Sequence, residues 1–430
     1  MIPSILSRQI RQGLIDFLNT TFPITTPLFH GILQDLLETE GEVFKGPYLR
    51  LGLPFEKARG EKDFFPEIPL PFSPYGHQER AFERLGADAP KSTIVATGTG
   101  SGKTESFLLP ILRYCYQHRG EPGIKAILIY PMNALATDQA ARIARTIHGN
   151  EKLRGNVTAG IYIGQAEKNP SRVMGPGAVI ADKETMRLRP PDILLTNYKM
   201  LDYLLIRPGD LALWQQNRPQ TLKFLVVDDL HTFDGAQGTD LACLIRRLKA
   251  RVKSPEGHLC CIGTSATLGT EKERRDIIAY ASNLFAEPFG EDAIIEEERV
   301  SVQKFLTGAA GPSDRVPRLK EIELLDPENF DEPQMYILKQ IELWFERQDA
   351  DRILTAGRWP LALGEGLKGH FMFQALLRRT EGRVVDFSTL FKELQGAVPE
   401  IKEQPAFGEA LLASLLSFTA RRQRNCGSRP

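Results

Sequence analysis

The stretch Ala96-Thr97-Gly98-Thr99-Gly100-Ser101-Gly102-Lys103-Thr104 restricts the fold more than any other feature of this chain. It follows the apolar run Ser92 to Val95 and precedes the helix-like run Glu105 to Tyr116, which gives the order strand, glycine-rich loop, helix. In such a loop the glycines let backbone N–H groups turn inward around phosphate oxygens. Lys103 supplies a point charge for the outer phosphates, and Thr104 offers a hydroxyl to magnesium. A helix beginning at Gly102 would add its positive dipole end. The general pattern has glycine at the loop's first position, where this chain has Thr97.

Composition sets limits. The 430 residues have room for two to three domains, and 42% hydrophobic with 25% charged residues is ordinary globular material. Lys+Arg and Asp+Glu both number 54, so no global field draws the chain to nucleic acid or membrane, and a nucleic-acid site must be a local groove. The five cysteines (Cys115, Cys243, Cys260, Cys261, Cys426) show no CxxC spacing and read as reduced packing residues. The segment Met1 to Gln12 is polar where a signal peptide needs an apolar core, and no run reaches membrane-spanning length. The cytoplasm is the expected compartment, with no membrane partner.

Apolar strand patterns at Thr93–Ala96, Ala126–Tyr130, Ala159–Ile163, Ile193–Thr196, Phe224–Asp228 and Cys260–Thr264 alternate with helical patterns. Runs so continuously aliphatic fit a mostly parallel sheet covered by helices on both faces, an α/β doubly wound fold. The expected domains are an N-terminal helical arm over 1–70, a nucleotide-binding α/β domain over 71–290 and a mainly helical region over 291–430. In the arm, Ile5, Ile10, Leu14, Ile15 and Leu18 suggest an amphipathic helix, and Phe64 to Pro74 is too rich in proline for one. Helical patterns in the last region cover Met335–Phe345, Phe371–Leu377, Leu390–Leu394 and Leu411–Phe418.

The run Phe224-Leu225-Val226-Val227-Asp228-Asp229-Leu230-His231 delivers adjacent carboxylates at a strand's C-terminal end, where such sheets bind ligands. Asp228 is then the magnesium partner and Asp229 the group that orients an attacking water. Tyr75-Gly76-His77-Gln78 lies just ahead of the phosphate loop, and the Gln78 amide matches the N6 and N7 edge of adenine, which favours ATP. Pro131 to Gln139, with Asn133, and Thr196 to Leu201, with Asn197, each follow a strand and open a helix. They put amides and hydroxyls on one rim, suited to a sugar-phosphate backbone. Ser265 and Thr267 end another strand beside the carboxylates and can hydrogen-bond toward both sites.

Taken in order, these segments resemble the first RecA-like domain of superfamily 2 DEAD/DEAH-box helicases. Gln78 matches the Q motif, Thr97 to Thr104 motif I, Pro131 to Gln139 motif Ia, Thr196 to Leu201 motif Ib, Asp228 to His231 motif II and Ser265 to Thr267 motif III. The phrases YPMNALATDQ, TNYKMLDYLL and VVDDLHTFDGAQGTDLA are similar to the large bacterial helicases with extra C-terminal domains, a group that includes repair and anti-phage defence helicases. The resemblance implies ATP-driven movement on DNA or RNA, with Ser265 and Thr267 coupling hydrolysis to strand binding and His231 lying between the two sites. Two departures stand out. Motif II reads Asp-Asp-Leu-His where the family has Asp-Glu-x-His, and the stretch from Pro288 to Pro430 shows helical patterns with neither a series of parallel strands nor a Gln-x-x-Gly-Arg-x-x-Arg segment. The ending Arg421 to Pro430 reads as an interrupted chain. The expectation is therefore the ATP-binding amino-terminal part of a helicase, completed by a second RecA-like domain in cis or in trans. The competing expectation is a nucleotide-gated nucleic-acid or protein-binding module without motor activity.

Overall fold

The computed structural model describes residues 3–29, 31–39, 43–59, 63–70, 72–98, 100–164, 169–266, 270–309, 312–394 and 404–419. Contacts divide the chain into two compact units, one of residues 55–299 and the other of residues 1–54 with 300–430. These divisions fall at 54/55 and 299/300, where the sequence set them at 70/71 and 290/291.

In chain order the elements begin with α1 (Pro3–Thr21), α2 (Ile32–Glu38) and β1 (Tyr48–Leu49). The central unit follows with α3 (Gly76–Leu85), β2 (Thr93–Ala96), α4 (Lys103–Gln117), β3 (Ala126–Ile129) and α5 (Asn133–Gly149). It continues through β4 (Ala159–Tyr162), α6 (Lys183–Leu188), β5 (Ile193–Thr196), α7 (Tyr198–Ile206) and β6 (Phe224–Val227), and closes with α8 (Gly235–Val252), β7 (Cys260–Ser265), α9 (Glu271–Phe285) and β8 (Ile294–Glu296). Beyond it lie α10 (Val302–Leu306), α11 (Ile322–Leu325), α12 (Pro333–Trp344), α13 (Arg347–Thr355), α14 (Trp359–Gly369), α15 (Phe371–Thr380), β9 (Val385–Asp386), α16 (Phe387–Leu394) and α17 (Pro405–Ser417).

The central unit holds a seven-stranded sheet in the order β4-β5-β3-β6-β7-β2-β8. Every pairing is parallel, so all C-terminal strand ends share one edge. Alternate residues feed opposite faces, as the two-residue period of a strand requires. Ile127, Ile129, Leu225, Val227 and Cys261 pack with residues of α7, α8 and α9. Ala126, Leu128, Phe224, Val226 and Ile262 pack with residues of α3, α4 and α5. A sheet buried on both faces explains why these strands read as unbroken aliphatic runs. Truncating such a Leu or Ile to Ala costs about 2–5 kcal/mol. Lys125, just ahead of β3, pairs with Asp192 ahead of β5 at 2.6 Å and is 1% exposed, so the strand ends opposite the site are fastened by a buried ion pair.

The six expected strands are present, and a seventh, β8, lies past the expected border. Ile294-Ile295-Glu296 is short and runs into further acidic residues, so it carries no aliphatic run. Cys115, Cys260 and Cys261 are buried, but Cys243 is exposed on α8, because the buried stripe of that helix is Leu241, Leu244, Ile245, Leu248 and Val252. Cys426 lies outside the described residues. No helix among the described residues is long and apolar enough to cross a membrane.

In the other unit β1 pairs antiparallel with β9, and Leu51, Trp344, Phe345, Leu376 and Phe407 share one core. The expected N-terminal helix is α1. Ile15 is buried on it, whereas Ile10 and Leu14 are exposed.

Candidate functional site

The phosphate loop leaves β2 and enters α4 through Gly102, the N-cap of that helix, which sits at φ 79°. A Cβ at Gly102 would lie 2.3 Å from the Gln78 amide nitrogen, so only glycine fits this turn. The helix begins at Lys103, one residue later than expected. Thr97 is fully buried, and its hydroxyl oxygen accepts from the Ser101 hydroxyl at 2.8 Å. The Thr97 hydroxyl thus pins the loop from within, at the position where the general pattern has glycine. Thr99 lies outside the described residues. Thr104 stands in the first turn of α4, partly exposed.

Gln78 is buried at the start of α3. Its amide oxygen accepts from the Tyr75 N–H at 3.0 Å, and its nitrogen donates to the Gly102 carbonyl at 3.3 Å. One lone pair and one amide hydrogen remain beyond these bonds. The neighbouring His77 ring meets the Ser101 carbonyl at 2.8 Å through Nε2. Burial holds the His77 pKa below the ordinary value, against the opposing effect of that bond.

On the same edge β6 ends in Asp228 and Asp229. Between β2 and β6 runs β7, whose end touches both. Lys103 Nζ donates to the Ser265 carbonyl at 3.3 Å. The Thr264 hydroxyl donates to the Asp228 carboxylate at 2.5 Å and accepts from the Asp229 N–H at 2.9 Å. Burial pushes the Asp228 pKa up, and the Thr264 bond opposes this. Asp229 takes the left-handed conformation at φ 52°, and His231 lies exposed just past it in a short 3-10 turn. Ser265 is 4% exposed, and Thr267 lies outside the described residues.

Further along the edge, Asn133 at the start of α5 accepts through its side-chain oxygen from the Asn197 amide at 2.6 Å. Asn197 in turn caps α7 by accepting from the Met200 N–H at 2.8 Å. Pro131 lies two residues ahead of α5, partly exposed. Thr196 is fully buried and its hydroxyl donates to the Tyr162 carbonyl at 2.7 Å, so that side chain is spent inside the sheet.

Thr264 was not among the expected site residues. Its signal was its place ahead of Ser265, where an aliphatic strand ends in hydroxyls. Among the described residues no cluster of His, Cys, Asp and Glu could cage a metal. One carboxylate (Asp228) and one hydroxyl (Thr104) suit a magnesium ion that draws its remaining ligands from phosphates and water.

Residues 75–275 match the DEAD/DEAH box helicase family. Druantia protein DruE of Escherichia coli (strain UMEA 4076-1) is 33% identical over 294 residues, covering 46% of this chain and 16% of that protein. The uncharacterized ATP-dependent helicase YprA of Bacillus subtilis (strain 168) is 29% identical over 199 residues, covering 46% of this chain and 23% of that protein. The chain thus spans well under half the length of these relatives. Among solved structures, the DUF1998 helicase MrfA bound to DNA and AMPPNP aligns with a TM-score of 0.44 at 18% identity, covering 79% of this chain and 42% of that one.

Proposed function

With residues 75–275 forming a DEAD/DEAH box helicase domain, we propose that this chain is the ATP-binding part of a superfamily 2 nucleic-acid helicase. It couples ATP hydrolysis to strand movement when a second RecA-like domain, in cis or in trans, closes over the site. The observation that carries this reading is the position of β7. Its end bonds to Lys103 on one side and to Asp228 and Asp229 on the other, so the phosphate loop and the carboxylates are linked through a single strand.

In this reading Lys103 and the loop N–H groups bind the phosphates, and the remaining lone pair and hydrogen of Gln78 read the adenine edge beside Tyr75. Thr104 and Asp228 would hold magnesium, which would supply positive charge to neutralise the phosphates. Asp229 orients the attacking water and accepts its proton. Lys103 contacts the Ser265 carbonyl with one of its three ammonium donors, so a phosphate bound at Lys103 is linked directly to the strand end that carries the coupling residue Ser265. His231, exposed two residues past Asp229, lies between the ATP site and the nucleic-acid rim in this reading. Pro131, Asn133 and Asn197 form the rim for a DNA strand, with RNA as the comparison polymer.

Calorimetry with MgATP tests the site. Lys103→Ala should weaken binding at least tenfold and leave the melting temperature unchanged, because this partly exposed charge contributes little packing. Equal affinity in wild type and variant would remove the nucleotide assignment. Stimulation of ATPase by single-stranded DNA or RNA, with the second RecA-like domain present, separates a motor from a binding module.

A further inference from the structure

Past the edge strand β8 the chain continues as Glu297-Glu298-Arg299, and this segment is built against the phosphate loop. β8 pairs with β2 so that Glu296 stands beside Ala96, which brings Glu297 to the loop's entrance. The Glu297 carboxylate accepts from the Gly98 N–H at 2.6 Å, a short charge-assisted bond, while its other oxygen receives the Arg299 guanidinium at 2.8 Å. The Glu297 side chain is 5% exposed. Arg299 lies over the Phe55 ring at 4.3 Å, and Phe55 contacts the Tyr75 ring at 5.1 Å. Backbone bonds complete the assembly: the Glu56 N–H donates to the Glu298 carbonyl at 2.7 Å, and the Gly76 N–H donates to the Glu56 carbonyl at 2.9 Å.

The geometry points to Glu297 as a positioning residue for the nucleotide site, a brace that fixes the first turn of the phosphate loop. It acts through Gly98 and touches no phosphate itself. With the Gly98 N–H held by the carboxylate, the chain leaves β2 for the loop in a fixed direction, which lowers the cost of ordering the loop around phosphate. Gly98 is fitted to this contact, because a Cβ there would lie 2.9 Å from the Glu297 carboxylate. The role requires the ATP site proposed above.

Calorimetry of the full chain with MgATP, alongside thermal melting, tests the brace. Glu297→Ala should weaken ATP binding roughly tenfold, the scale of one charge-assisted hydrogen bond. Gly98→Ala should do the same by pushing the carboxylate away. The double variant should bind no worse than either single one, since both remove one interaction. Glu297→Gln should stay within about threefold of wild type, because an amide oxygen still accepts from Gly98. Wild-type affinity in Glu297→Ala overturns the brace, as does a double variant whose losses multiply to about a hundredfold. Should Glu297→Ala fail to fold, Gly98→Ala decides, and unchanged ATP affinity there overturns the brace. A wild-type chain that binds no ATP fells the nucleotide reading itself, whereas wild-type binding with unaltered variants fells the brace alone.

Discussion

Asp229 stands in the left-handed region with its N–H tied to the Thr264 hydroxyl, and that backbone explains a departure the sequence only registered. Asp and Asn tolerate this conformation better than longer side chains do, since their short polar groups bond locally. The shorter acid therefore suits the turn even though it loses one methylene of reach. Asp229→Asn should keep fold and ATP affinity and abolish strand-stimulated turnover, because the amide cannot accept the water's proton. Asp229→Glu should lower the stability of the central unit by about 1 kcal/mol through backbone strain, read as a lower urea midpoint. An active Asp229→Asn enzyme would remove Asp229 from the chemistry. The carboxylates and the loop lysine were legible because their chemistry is carried by residue types at fixed spacing. Thr264 was not, because its two bonds depend on β7 lying between β2 and β6, and strand order is not written in any one strand.

The pairing of Asn133 with Asn197 ties the starts of α5 and α7 to one rim, and Asn197 carries two separable duties. Its oxygen caps α7, a contribution worth about 0.5–2 kcal/mol, while its amide nitrogen reaches Asn133. Asn197→Asp keeps an excellent cap but puts a carboxylate on the proposed path of the phosphates. It should melt like wild type and lose affinity for single-stranded DNA. Asn197→Ala should lose both stability and affinity. Anisotropy with a labelled oligonucleotide checks the pair, and unaltered binding by Asn197→Asp would take this rim off the strand's path. Both helix starts could be read from the sequence, since each follows an aliphatic run. The contact between them could not, because the residues lie on different βα units. β8 is illegible in the sequence for a related reason: an edge strand needs no aliphatic stripe, and its signal dissolves into the acidic run that contains Glu297.

At the scale of the whole chain the N-terminal segment belongs with the C-terminal helices through the pairing of Tyr48–Leu49 with Val385–Asp386, a partnership local periodicity cannot announce. Among the described residues each compact unit also buries a histidine in the same manner. His77 donates through Nε2 to the Ser101 carbonyl, and His370 to the Arg315 carbonyl at 2.8 Å. In both rings Nδ1 is buried without a partner. Burial holds both pKa values below the ordinary one, and the carbonyl bonds oppose this only in part. Protonation would place an N–H where nothing accepts it. The neutral rings therefore contribute their full stability above the unfolded value of about 6.5, and the contribution is lost as pH falls below that value and through the depressed folded ones. The urea midpoint of the unit containing His370, followed by fluorescence of its Trp344 and Trp359, should be lower at pH 5.5 than at pH 8. His370→Gln keeps a donor for the Arg315 carbonyl and titrates nowhere in this range. It should lower the midpoint at pH 8 through lost ring packing against Trp344 and Phe345, yet flatten the dependence on pH. A variant as acid-sensitive as wild type would show that the loss arises from carboxylates elsewhere in the unit, because only the ring has been taken out of the titration.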